Sequence, residues 1–249
     1  MDIHLKIEGS SQQNVNLNAM GILPLESVLK SVASIRKVKY IECPAFTDYY
    51  KNCFLVRAPY DIEIEVKKTA ENVKYFNIKD KDQDFCNKYI FDRNNENSLF
   101  SMISLEYSYL FYSEKSVMIE MIPAGLHLHE SEHLKNTMLI QGTFDISKWY
   151  RGIGYAFEII DDSIPVKIKR GDPVFYVRFL TDEKINIVYE HENKYVDNLS
   201  SACANFKKFT KNNTMKTNYE IASHMIRSLR NKIFKKSKCP FGFLHKKGE

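Results

Sequence analysis

The chain has 249 residues, 44% of them hydrophobic and 27% charged, a balance that suits one globular protein with a sizeable core. Nine glycines and seven prolines are too few for a collagen-like, low-complexity or disordered chain. No apolar run approaches the roughly 18–20 residues of a membrane span, and the opening MDIHLKIEGSS lacks the layout of a signal peptide. These features predict a soluble protein with no membrane partner. Cys43, Cys53, Cys86, Cys203 and Cys239 form no C-x-x-C pair, so free thiols in a reducing compartment are expected.

The net charge of +5 is unevenly spread. From Ser201 to Glu249 there are twelve basic residues against Glu220 and Glu249, a balance of +10, so residues 1–200 carry −5. Such a split suggests an acidic partner for the tail, either nucleic acid or an acidic protein surface.

In chain order, Leu25–Arg36 reads as a short helix, and strand-rich sequence begins at Lys39. Asp61 to Val66 alternates, placing Ile62, Ile64 and Val66 on one face and carboxylates on the other. Phe100 to Tyr112 is a long apolar-aromatic run that suits a buried strand or two, with a core helix as the other reading. Val117 to Met121 and Val166 to Lys169 repeat the period of two. From Val196 the period becomes helical, with Leu199, Cys203 and Phe206 in step; Ile221, Met225 and Leu229 follow beyond a break at Asn212-Asn213-Thr214, where Thr217 or Asn218 can cap. The expected fold is mainly β: a sandwich, jelly roll or distorted barrel over residues 1–195, then a basic α-helical segment over 196–249.

Three constellations carry chemistry. The first runs from Gly142-Thr143-Phe144-Asp145 through Trp149-Tyr150-Arg151-Gly152 and Glu158 to Arg170-Gly171-Asp172, and reads as strands joined by tight reversals. This stretch of about 40 residues resembles part of the dUTPase and dCTP deaminase superfamily. The resemblance implies a dUTPase-like β scaffold in which Asp145 activates a water and Glu158 acts as general base. Arg151 and Arg170 would contact an anion, with Trp149 and Asp172 beside the ligand. The superfamily's phosphate-holding G-R-S-S segment and Gly-rich arm are missing, so nucleotide binding is expected ahead of catalysis. The phrase Phe144-Asp145-Ile146-Ser147-Lys148-Trp149-Tyr150-Arg151, with Cys43-Pro44-Ala45-Phe46 upstream, is also similar to uncharacterised proteins of tailed bacteriophages. That likeness implies an accessory protein of the host cytoplasm or the virion, acting as a homo-oligomer or with phage subunits.

The second constellation is His127-Leu128-His129-Glu130-Ser131-Glu132-His133. Extended, it would put His127 and His129 on one face with Glu132 nearby, a donor set for a divalent metal such as Fe, Mn, Ni or Zn. It resembles the first cupin motif, which implies a mononuclear metal enzyme with His133 or His191 as a further ligand; an exposed His- and Glu-rich loop is the competing reading. The third is the tail, where basic residues between Lys207 and Lys247 could contact phosphates or neighbouring subunits.

Overall fold

The computed structural model describes residues 1–7, 23–35, 39–68, 74–79, 90–92, 101–190 and 193–209, with 217, 220, 221, 224, 233 and 234. Cys86, His191, the break at 212–214 and the basic side chains from Lys207 to Lys247 lie outside it.

The chain opens with β1 (Asp2–Ile7). β2 (Glu26–Ser27) then runs into helix α1 (Val28–Ile35), and helix α2 (Pro44–Tyr50) follows a 3-10 turn. β3 (Cys53–Arg57), β4 (Ile62–Lys68), β5 (Lys74–Ile78) and β6 (Ile90–Asp92) precede β7 (Ser101–Tyr112), a single long strand where the sequence left one strand, two strands or a helix open. After β8 (Met118–Pro123) come the short helix α3 (His133–Asn136), β9 (Thr137–Leu139) and β10 (Gly142–Asp145). β11 (Ile153–Ile159), β12 (Val166–Ile168), β13 (Pro173–Leu180) and β14 (Asn186–Glu190) lead to helix α4 (Lys194–Phe209).

The strands form three open sheets. The largest has the order β14-β1-β7-β11-β9 with β6 also on β7, the second β10-β8-β13-β3-β2, and the third β12-β4-β5. Among the described residues only the β1–β14 pair is parallel. Period-two patterning fixes which face each strand buries. On β7, Ile103, Leu105, Tyr107, Tyr109 and Phe111 enter a central core shared by all three sheets, while Leu110 and Tyr112 face the other way. On β4, Ile62 and Ile64 are buried, and Glu63 and Glu65 pair outward with Lys79, Lys67 and Lys167.

Helices cover the outer faces of the two larger sheets. Val28 and Val32 of α1 seal Cys53, Leu55, Ile122 and Tyr176 on the second sheet. Val196, Leu199 and Cys203 of α4 seal Leu110 and Tyr112 of the first, together with Tyr150 from the connection before β11. Each such apolar side chain contributes about 1.5–3 kcal/mol on burial, which holds α4 against the sheet despite its polar outer side.

Residues 142–179 are strands, as expected, but they do not pair with one another. β10 pairs with β8, β11 with β7 and β9, β12 with β4, and β13 with β8 and β3. Consecutive strands therefore cross between sheets. Close approach of β11 to β7 explains Gly154: a Cβ there would stand 2.6 Å from the Leu105 carbonyl oxygen. Among the described residues no helix is long and apolar enough to cross a membrane.

Candidate functional site

The turn between β12 and β13 anchors the most developed polar site. Gly171 has φ +91°, a left-handed conformation open to glycine. Its N–H donates to the Ala58 carbonyl at 2.8 Å, and the Ala58 N–H donates to the Asp172 carbonyl at 2.8 Å, so the turn is clasped to the end of β3. The Arg170 N–H donates to the Asp61 carboxylate at 2.6 Å.

Arg57, at the end of β3, reaches over this turn. Its Nη1 donates to the Gly171 carbonyl at 3.0 Å and to Glu130 Oε2 at 3.1 Å, and its Nη2 to Glu26 Oε2 at 3.4 Å. Arg57 and Gly171 border a cleft of about 580 Å³. Leu23, Leu25 and Phe54 supply apolar lining, and Glu26 and the exposed Lys30 add charge. A smaller cleft of about 390 Å³ lies beside Tyr49 and Arg178. There the guanidinium is already committed to Glu120 and stacked 4.0 Å from the Tyr49 ring.

Two buried histidines stand behind the Arg57 site. His127 Nε2 meets Ser31 Oγ at 2.8 Å and its Nδ1 meets the Tyr176 hydroxyl at 2.6 Å, which also accepts the Leu126 N–H at 3.1 Å. Burial lowers the His127 pKa and raises that of Tyr176, so this unit is neutral. Ser131 Oγ donates to Asp172 Oδ2 at 2.8 Å and meets His133 Nδ1 at 2.6 Å. Burial pushes the His133 pKa down to about 4, against the opposing charge of Asp172.

This geometry corrects the metal reading. Residues 125–127 form a 3-10 turn, not a strand, so His127 and His129 do not share a face. His127 is fully buried, whereas His129 is exposed and Glu132 turns out to pair with Lys135 at 2.7 Å. His133 points instead to Ser131. Among the described residues no three His, Cys, Asp or Glu side chains converge to hold a metal ion.

The two carboxylates expected to act on water are also apart. Asp145 ends β10 and accepts from Ser116 Oγ at 2.7 Å, from the Ser147 N–H and Oγ at 2.9 and 2.7 Å, and pairs with Lys148 at 2.9 Å. Burial works to raise its pKa, but these bonds outweigh burial and hold the carboxyl below its usual range. Glu158 lies on another sheet, half-buried, opposite Met102 and Met138. Its neighbours Phe157 and Ile159 point into the central core, as do Phe144 and Ile146 around Asp145. Both acids thus face away from the core that their sheets share, on different sheets.

Trp149 and Arg151 belong with Asp145. The Trp149 N–H donates to the Asp145 carbonyl at 3.0 Å, and the Arg151 guanidinium lies 5.3 Å over the Trp149 ring. Arg170 and Asp172 belong with Arg57. No family model and no curated protein matches the chain.

A second polar cluster lies under α4. The fully buried Lys6 pairs with Asp197 and donates to the Asn193 carbonyl at 3.5 Å. His4 Nδ1 meets Glu190 Oε1 at 2.6 Å, and Glu190 also accepts from the Tyr112 hydroxyl and from Asn193. Burial alone would raise the Glu190 pKa; the bonds from His4, Tyr112 and Asn193 lower it. Sequence reasoning missed Arg57, Glu26, Lys30 and Lys6. Arg57 closes an apolar strand, Cys53-Phe54-Leu55-Val56, with a charge, and that charge was the available signal.

Proposed function

We propose that the chain is a binding protein whose Arg57 cleft takes a small anionic ligand of the nucleotide class. The observation that carries this reading is the cleft itself, which joins an apolar, partly aromatic lining to Lys30 and Arg57 within about 580 Å³. Clefts of roughly 300–1,000 Å³ with a few placed polar groups are typical of small-ligand sites. A base or sugar would lie against Leu23, Leu25 and Phe54. A phosphate would meet Lys30 and draw Arg57 away from the half-buried Glu26, its longest contact at 3.4 Å. Gly171, in the turn likened to the dUTPase and dCTP deaminase superfamily, sits on the rim, which supports keeping that scaffold and a jelly-roll-like strand order as guides to the ligand. Asp145 and Glu158 stand apart from the cleft's lining, so the reading is binding, not water activation. The phage-like phrases support reading it as an accessory factor of the host cytoplasm or the virion.

A thermal-shift screen of nucleotides and cyclic nucleotides tests this. A ligand at 100 times its Kd stabilises by about 2.7 kcal/mol. The expected result is a shift with at least one nucleotide that disappears in both Arg57→Gln and Lys30→Gln. No shift across the panel, or a shift indifferent to both substitutions, overturns it.

A second reading, a virion or assembly component, is favoured by the apolar edge at β9. Met138 is 54% exposed, Ile140 39%, Ile160 65% and Ile164 53%. β9 ends its sheet and carries no charge, which leaves self-pairing with a second copy unopposed. Met138→Lys should then convert a dimer to a monomer in sedimentation, and a natural chain that sediments as a monomer excludes it.

A further inference from the structure

His127 and the Arg57 cleft share one carboxylate. The 3-10 turn at Gly125–His127 runs on into a further turn, in which the Glu130 N–H donates to the His127 carbonyl at 2.9 Å. That turn folds the Glu130 side chain back beside the ring, with Oε1 3.6 Å from His127 Nε2. The other oxygen, Oε2, accepts from Arg57 Nη1 at 3.1 Å. Glu130 thus stands between a fully buried imidazole and a guanidinium that borders the cleft of about 580 Å³.

The ring can hold one proton or two in the same place. Its Nε2 meets the Ser31 hydroxyl of α1 at 2.8 Å and its Nδ1 the Tyr176 hydroxyl of β13 at 2.6 Å. A hydroxyl donates or accepts as its partner requires, so a neutral ring is matched when one of them donates and an imidazolium when both accept. The charged and titratable groups facing the ring are Glu130 and His129 on its own segment, Arg57 at the end of β3 and Glu26 on β2. Burial holds the His127 pKa down; Glu130 and Glu26 pull it up, and Arg57 and His129 push it down. While Arg57 rests on Glu130, that carboxylate is already paired and the ring is neutral.

Around the cleft two cations, Lys30 and Arg57, face two carboxylates, Glu26 and Glu130. A phosphate dianion entering there brings negative charge that these groups do not offset. It competes for Arg57 first with Glu26 at 3.4 Å and then with Glu130 at 3.1 Å. A Glu130 so uncovered keeps His127 beside it. We propose that His127 is the proton acceptor of this cleft: an anion that draws Arg57 off Glu130 leaves that carboxylate to His127, which takes a proton from solvent and pairs with it through Nε2. Binding then takes up one proton and tightens as the pH falls, by up to about tenfold per pH unit. The class of anion rests on the nucleotide reading above, whereas the path Arg57–Glu130–His127 does not.

NMR titration of the full chain with ring-¹⁵N-labelled histidine tests that path without any ligand. In Arg57→Gln, which uncovers Glu130 as the anion would, the His127 midpoint should rise by about one pH unit or more. Adding Glu130→Gln to that variant should abolish the rise. An unchanged midpoint in folded Arg57→Gln, or a rise that survives Glu130→Gln, overturns the proposal. If Arg57→Gln does not fold, Glu130→Gln alone decides: the His127 midpoint must fall, and an unchanged one overturns the proposal. AMP titrations between pH 7 and pH 6 separate this from the nucleotide reading. The natural chain should gain affinity for AMP relative to His127→Gln as the pH falls, and equal pH dependence in the two sinks the proton acceptor alone. If AMP and the other nucleotides fail to bind while the Arg57→Gln midpoint rises, the nucleotide reading falls and the proton acceptor stands.

Discussion

Asp145 and His133 show how the same residue types serve structure when their partners are set. Asp145 is held by Ser116, Ser147 and Lys148, so Asp145→Asn should cost about 1 kcal/mol of stability and leave ligand binding intact. Because its folded pKa is depressed, its contribution is complete above the unfolded value near 3.9 and is lost as pH falls through the lower folded value. Urea titrations should accordingly show a shallower acid slope for Asp145→Asn than for the natural chain. His133 acts in the same direction, over a higher pH window. The unfolded chain takes up its proton near pH 6.5 and the folded chain only near 4, so acidification through that window favours unfolding by up to about 3 kcal/mol. His133→Asn can still hydrogen-bond Ser131 but cannot titrate, and its stability should fall less from pH 6.5 to 4 than that of the natural chain. Equal slopes for both proteins would mean that His133 is not the group responsible.

At the scale of the element, the alternation of Ile62, Ile64 and Val66 was readable because one face of β4 meets the core and the other meets water. The strand at Ser101–Tyr112 and the start of α4 were readable for the same reason: period reports which face is buried. The H-x-H phrase misled because its period of two falls on a 3-10 turn, where spacing no longer places two side chains on one face. Lys6 was illegible for a different cause, since its partner Asp197 is 191 residues away and nothing local marks a lysine as fully buried. That pair fastens α4. Asp197→Asn should leave Lys6 buried without its counter-charge, at a cost of about 3 kcal/mol, and loosen the helix. Cys203 is the reporter, buried between α4 and the sheet, and Cys53, buried under α1, is the control. Thiol labelling of Cys203 should quicken at least tenfold in Asp197→Asn while Cys53 stays slow. Replacing both partners, as Lys6→Met with Asp197→Leu, should restore slow labelling, because two matched apolar groups need no pairing.

Across the whole molecule, the strand partners decide what is one folding unit. Composition and charge suggested a β body over residues 1–195 followed by a basic helical segment, and α4, from Lys194, packs on the first sheet. Four consecutive strands from Gly142 to Leu180 each cross to partners far away in sequence, which pairing by local turns could not foretell. Such non-local pairing slows folding and makes the sheets interdependent. The first sheet also depends on its cover. Removing everything after Asn193 would expose Leu110, Tyr112 and Tyr150 together and strand Lys6 beneath them. A chain ending at residue 193 should therefore bind a hydrophobic dye in its native buffer and lose its sharp thermal transition. If α4 were a mere appendage, that shortened chain would melt at the temperature of the full one, and calorimetry of the two side by side distinguishes the cases.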